Sequence, residues 1–289
     1  MNHCLITAAS NRFFPSLLNL IGSIKANYPD HPKIYVYSIG LLTVFKNELK
    51  QIDNLEVIET PHFCLFWRKC YTWKAYIFNQ PLGELNLFLD AGNQVLQPLD
   101  EMFDQIEKNG YLAVSQGGQL EQTVPPEYKK ILSLKSGFEK EPYITSGIFG
   151  FKSSNEIISQ VRDEVYQAAL SGMCLGYSPS EQHRNKGKDK TFFIRDCQTF
   201  RHEQTLLNIL LRKYLGDFKI NPINKYAGWQ SPHEDPKQLI WNLRRNYIKL
   251  EYAGRVFKKN ARLKRSVLNL FFLTLSLKRK IRNLLKNQP

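Results

Sequence analysis

Over the first 150 residues, short apolar runs alternate with stretches whose apolar positions recur at helical spacing. That alternation is the pattern of βαβ units, and it predicts an α/β fold around a mainly parallel sheet. Strands are predicted at His3–Ala8, Lys33–Ile39, Leu55–Ile58, Leu85–Leu89, Tyr111–Ser115 and Ile144–Phe151. Helices are predicted at Ser16–Asn27, Phe45–Ile52 and Lys69–Asn79, and from an N-cap at Asn155 to Leu170. Residues 171–196 are rich in Gly, Ser and Lys and predict a long loop, of the kind compact domains use as lids. Further on, Glu203–Tyr214 predicts a strong helix, Lys219–Trp229 an extended chain and Pro236–Ile248 another helix. The chain carries no internal repeat.

The run Leu87-Phe88-Leu89 breaks off at Asp90, and Ala91, Gly92 and Asn93 follow. In an open α/β sheet, ligands sit outside the carboxyl ends of the strands. A buried strand that ends in a carboxylate and then opens out therefore brings a charge to the place where a ligand binds.

Composition narrows the class. A chain of 289 residues with 43% hydrophobic and 23% charged residues buries a full core. Its five cysteines (4, 64, 70, 174 and 197) form an odd set without a CxxC pair, which fits a reducing compartment better than a disulfide framework. The start, MNHCLITAAS, lacks a basic region and reads as strand rather than signal peptide, and no stretch reaches the ~20 apolar residues that span a bilayer. These features point to a cytoplasmic protein.

The net charge of +14 is localised. Tyr252–Pro289 holds eleven Lys or Arg and no acid, leaving +3 for residues 1–251. A basic face spread over the domain, as a nucleic-acid enzyme would need, is therefore not indicated. In the tail, Leu263, Val267, Leu270, Thr274, Leu277, Ile281 and Leu284 form one stripe, with Lys264, Arg265, Lys278, Lys280 and Arg282 mostly off it. A basic amphipathic helix over 255–289 reads as an anchor to an anionic membrane surface; the other reading is a helix packed on the domain with a solvated basic face. The division is a domain over 1–250 and a tail over 251–289.

Four pieces carry a resemblance to a known family. Leu89-Asp90-Ala91-Gly92 stands where nucleotide-sugar glycosyltransferases of the GT-A fold have a Leu-Asp-x-Asp metal and diphosphate motif. Trp73-Lys74, one helix earlier, matches a basic residue that touches the donor. Tyr143-Ile144-Thr145-Ser146-Gly147-Ile148-Phe149 is similar to the Tyr-Phe-Asn-Ser-Gly-Val strand lining the donor sugar. Glu203-Gln204-Thr205-Leu206-Leu207-Asn208 is similar to an Asp-Gln-Asp-x-Leu-Asn helix start. The resemblance is greatest to the retaining galactosyltransferase and glycogenin-like group. By themselves, Glu203-Gln204 also read as an acidic first helical turn, and Trp73 and Trp229 as core residues.

The resemblance implies a site. Ala8 and Ala9 end the first strand without bulk, leaving space for a base and ribose. Asp90, Ala91 and Gly92 would hold the ribose or diphosphate, with glycine admitting close approach. Lys74 would touch the donor, and Thr145, Ser146 and Gly147 would floor the sugar. Gln204 would stand beside the anomeric carbon, with Glu203 on sugar hydroxyls. The implied partners are a nucleotide-sugar donor, UDP-sugar by resemblance, and a glycan or lipid-linked acceptor at the cytoplasmic membrane face; nucleic acid is not implied.

Two departures bear on metal. The second aspartate of the family motif is Gly92 here. Lys225-Tyr226-Ala227-Gly228-Trp229-Gln230-Ser231-Pro232-His233 is similar to a His-Tyr-x-Gly-x-x-Lys-Pro-Trp segment, with Lys225 replacing the metal-binding histidine. Asp90 alone makes a poor divalent site, although Asn93 and His233 offer displaced ligands. The expectation is transfer without a cofactor, with Lys225 neutralising the diphosphate; Mn or Mg is the alternative. A non-catalytic sugar-nucleotide binder, or a nucleic-acid binder acting through the tail, are the competing functions. No P-loop, dinucleotide fingerprint or serine-nucleophile motif is present, and His62, Cys64 and Cys70 have no second cluster at metal spacing.

Overall fold

The computed structural model describes residues 2–120, 123, 124, 128, 140, 142–175, 200–216, 218–226, 228, 237–242 and 252. The first half of the chain runs β1 (His3–Ala9), α1 (Phe14–Asn27), β2 (Lys33–Ser38), α2 (Thr43–Leu49), β3 (Leu55–Glu59), α3 (Thr72–Phe78), β4 (Leu85–Leu89). Then come β5 (Asn93–Val95), α4 (Asp100–Asn109), β6 (Tyr111–Gln119), β7 (Pro142–Lys152), α5 (Glu156–Leu170), a 3₁₀ turn (Met173–Leu175), α6 (Glu203–Leu215), the short α7 (Ile223–Tyr226) and β8 (Ile240–Asn242).

Six strands form one sheet in the order β3-β2-β1-β4-β7-β6. The first four are parallel, and β7 runs against both β4 and β6. Alternation along β1 shows how both faces are covered. Leu5 and Ala9 join a core with α1 and α4, while Cys4, Ile6 and Ala8 join a core with α3, α5 and α6. Burial on both faces is why the central strands read as unbroken apolar runs. β5 and β8 make a separate two-stranded sheet, with β5 packed against α1.

The predicted strands of the main sheet are all present. Asn155 caps α5 as predicted, its Oδ1 accepting the Ile158 N–H at 3.0 Å. Three expectations are corrected. Ile240–Asn242 lies within the helix predicted over Pro236–Ile248 but is a strand, because its ladder with Asn93–Val95 overrides local propensity. The chain predicted as extended over Lys219–Trp229 turns into α7 at Ile223–Tyr226. The helix predicted from Lys69 starts at Thr72, because Cys70 and Tyr71 take left-handed backbone (φ 54° and 55°). Helix α4 was not predicted, although Met102, Phe103 and Ile106 bury one stripe of it and Gly110 closes it at φ 82°. Gly150 lets that helix approach the sheet: a Cβ there would lie 2.4 Å from Ile106 Cδ1.

The long loop predicted over 171–196 lies outside the described residues beyond the 3₁₀ turn, as does the tail over 255–289. Among the described residues, no helix is long and apolar enough to cross a membrane.

Candidate active site

The carboxyl end of β4 gathers side chains from three other elements. Lys74 on α3 places its Nζ 2.9 Å from Asp90 Oδ1 and 3.1 Å from Oδ2. The same ammonium lies 3.4 Å from Ser146 Oγ on β7 and 3.6 Å from Glu203 Oε1 at the start of α6. Ser146 closes the ring by donating its hydroxyl to Glu203 Oε1 at 2.7 Å. The Lys74 and Glu203 side chains are 3% and 2% exposed, but that of Asp90 is 40% exposed. The cluster is therefore buried and opens to solvent through Asp90.

Charge follows from that burial. Desolvation pushes the Glu203 carboxyl up to about 7, against the pull of Lys74. Desolvation also works against the Lys74 ammonium, yet Asp90 and Glu203 outweigh it and hold the group above the ordinary lysine range. Lys74 thus stays charged, and the cluster changes its net charge through Glu203 near neutral pH. Glu203 Oε2 is buried and accepts no hydrogen bond among the described residues.

Backbone geometry explains why Ser-Gly sits opposite Asp90. The Asp90 N–H donates to the Gly147 carbonyl at 2.8 Å, and the Asn93 amide donates to the same oxygen at 3.0 Å. Asn93 is 1% exposed, and its Oδ1 has no hydrogen-bond partner among the described residues. Thr145 Oγ1 accepts the Gly147 N–H at 3.0 Å. Ala91 and Gly92 form the turn that leads into β5, and Gly92 does so without left-handed backbone. Its conformation therefore does not itself require glycine.

On α6, Gln204 and Asn208 lie one turn apart and both grip Ile144 of β7. Gln204 Nε2 donates to the Ile144 carbonyl at 2.9 Å and also to Gln116 Oε1. With both amide hydrogens engaged, the Gln204 carbonyl oxygen is what remains for a ligand. Asn208 accepts the Ile144 N–H at 2.8 Å and donates to its carbonyl at 3.0 Å. Before this helix stands His202 at φ 59°, ψ −128°, with Nδ1 2.7 Å from the Cys174 carbonyl. Left-handed residues thus precede both helices that supply the cluster, α3 and α6, where tertiary contacts must hold the strained backbone in place.

The remaining expected residues fall as follows. Ala8 and Ala9 end β1, buried on opposite faces of the sheet. Lys225 forms an ion pair and hydrogen bond with Glu101 at the start of α4, and no hydrogen bond or ion pair joins it to the Asp90 cluster. His233 lies outside the described residues. A divalent ion needs several oxygen or nitrogen ligands. Here both Asp90 oxygens face the Lys74 ammonium, and among the described residues no three His, Cys, Asp or Glu are grouped to hold a metal. Of the displaced ligands, Asn93 is buried near Asp90 with its Oδ1 free of a hydrogen bond among the described residues, and His233 lies outside them. Gln116 and the backbone clasp by Asn208 were not foreseen; each depends on a β6–β7–α6 contact far apart in sequence.

The strand order, the reversed β7 and the strand-end carboxylate define a GT-A-like α/β fold. Among solved structures, the galactosyltransferase LgtC in complex with donor and acceptor sugar analogues is similar at 13% identity and TM-score 0.53, over 89% of this chain and 97% of that one. The apo form of the glycosyltransferase GlyE from Streptococcus pneumoniae TIGR4 is similar at 11% identity and TM-score 0.53, over 95% of this chain and 64% of that one. At these identities the likeness is one of fold. No protein-family profile and no curated protein matches the sequence.

Proposed function

We propose that this protein transfers a sugar from a nucleotide-sugar donor, a UDP-sugar by resemblance, to a glycan or lipid-linked acceptor. The observation that carries the reading is the buried Lys74–Asp90–Ser146–Glu203 cluster, with Gln204 beside it, at the carboxyl end of β4 in a GT-A-like fold. On this reading base and ribose meet the end of β1 at Ala8 and Ala9, the diphosphate Asp90, Ala91 and Gly92, and the sugar Thr145, Ser146 and Gly147.

In the reaction, the bond from the anomeric carbon to the diphosphate oxygen breaks, and the acceptor hydroxyl oxygen bonds to that carbon and loses its proton. Positive charge develops on the sugar ring, where the Gln204 carbonyl dipole stabilises it. Negative charge develops on the leaving diphosphate. Lys74 is the cation we assign to it, in place of Lys225, because the Lys74 ammonium lies in the Asp90 cluster whereas Lys225 pairs with Glu101 outside it. Transfer on this reading proceeds without a divalent metal, since Asp90 is already matched to an ammonium.

The test is donor turnover by the full chain across a panel of nucleotide-sugars in excess EDTA. Turnover that Gln204→Ala slows by about 10²-fold or more, with donor affinity kept, supports the reading. Binding without turnover would make the protein a sugar-nucleotide binder, and activity that returns only with manganese would overturn the assignment to Lys74.

A further inference from the structure

Arg68, in the loop between β3 and α3, belongs to no part of the cluster above. Its guanidinium carbon lies over the Trp67 ring, 4.7 Å from the centroid of an indole that is 6% exposed. It also presses on Gly40, just after β2. A Cβ at Gly40 would stand 2.1 Å from Arg68 Nη2, and Gly40 is left-handed at φ 74°. Position 40 thus serves as a glycine cradle for the guanidinium. Among the described residues the exposed Arg68 guanidinium forms no hydrogen bond or ion pair, so its N–H donors are open to a ligand. A guanidinium carries its N–H donors in one plane, as a fork, and accepts nothing.

The sheet order shows what this fork faces. β1 lies between β2 and β4, so the ends of β2 and β4 are separated by two strand spacings, about 10 Å. That is comparable to the span from the base to the phosphates of a nucleoside diphosphate. The loops over this edge are tied together: Ile39 N–H donates to Ala9 O at 2.9 Å, and Leu42 N–H to Asn11 Oδ1 at 2.8 Å. With the phosphates and sugar at Asp90 and Glu203, the base end of the ligand falls on the side of β1 and β2 where Arg68 sits.

We infer that Arg68 reads the donor's base, and that it selects a base with carbonyl acceptors, uracil or guanine, over adenine. A guanidinium only donates, so it pairs with exocyclic carbonyl oxygens and is repelled by an amino group at the same place. Adenine offers an amino group and no carbonyl. The inference rests on the nucleotide-sugar reading above, and the experiment separates the two.

Titrate UDP, GDP, CDP and ADP calorimetrically into the full chain, wild type and Arg68→Met; the exposed position keeps the variant folded, which circular dichroism checks. The wild type is expected to bind UDP or GDP at least tenfold tighter than ADP, and Arg68→Met to erase that ratio while ADP affinity stays within twofold. A preference that survives in Arg68→Met overturns the inference and leaves the nucleotide-sugar reading intact. Equal weakening of all nucleotides would make Arg68 a phosphate contact, which also overturns it. If the wild type binds none of them, both fall.

Discussion

Gly147 and Asp90 face each other across two neighbouring strands so closely that a Cβ at 147 would stand 2.9 Å from Asp90 Oδ2. The glycine is what allows the carboxylate to lie against β7 and reach Lys74. Gly147→Ala is therefore expected to displace Asp90 and weaken donor binding at least tenfold. Because the atom met is the end of a side chain 40% exposed, Asp90 swings away and stability should change little. Calorimetric titration with a donor or its nucleoside diphosphate, beside a thermal melt, checks both; unchanged affinity would remove Asp90 from the donor site.

Glu203 makes both stability and donor binding depend on pH. Its folded value of about 7 lies above the ordinary glutamate value. The folded state therefore holds this proton more tightly than the unfolded chain. Its contribution is fully present below the unfolded value near 4.5 and is lost as pH rises through about 7. The loss is on the order of 3 kcal/mol, and Glu203→Gln should flatten the melting temperature over that window. Donor affinity should fall over the same range, because ionised Glu203 adds negative charge beside the diphosphate. A wild type and Glu203→Gln with parallel pH profiles would refute the assignment.

Lys74 and Lys225 offer a direct contrast. Removing Lys74 leaves Glu203 and Asp90 without their shared cation in a buried site, at a cost of ~3–5 kcal/mol. Lys74→Met should melt much earlier at pH 8, with a smaller loss at pH 5.5, where Glu203 is protonated. Lys225 and Glu101 form a pair with side chains 35% and 42% exposed, and such pairs contribute at most ~1 kcal/mol. Lys225→Ala should melt like the wild type and keep most donor turnover in EDTA. Loss of turnover in that variant alone would return the diphosphate role to Lys225.

The basic tail is a separate proposal. Tyr252, at its root, is fastened to the domain: its N–H donates to Asn19 Oδ1 at 2.9 Å, and a Cβ at Gly22 on α1 would meet the Tyr252 carbonyl oxygen at 2.2 Å. A chain ending after Tyr252 should stay folded yet stop sedimenting with vesicles rich in anionic lipid, to which each near-surface Lys or Arg adds about 1 kcal/mol. Equal sedimentation of the truncated and full chains would end the anchor proposal.

How far the sequence reaches is clearest at the strands. The run Leu87-Phe88-Leu89 ending at Asp90, the Asn155 cap and the strong helix from Glu203 depend on local periodicity and capping, which short windows of sequence carry. Asp90, Lys74, Ser146 and Glu203 were each legible as candidates through the order of their motifs. Their union in one ion-paired ring was not legible, because it joins positions up to 129 residues apart. The sheet makes that union by placing β7 beside β4 and docking α6 on β7 through Asn208 and Ile144. The strand at Ile240–Asn242 and the late start of α3 escaped for the same reason: a ladder partner and left-handed residues overruled local preference. Lys225 shows the limit most directly. The sequence by itself determined its charge and its place in a motif, but only tertiary structure decided that Glu101 stands against it, while Lys74 is left as the buried cation that matches Asp90. Charge is a property of the residue, whereas the partner that balances it is a property of the fold.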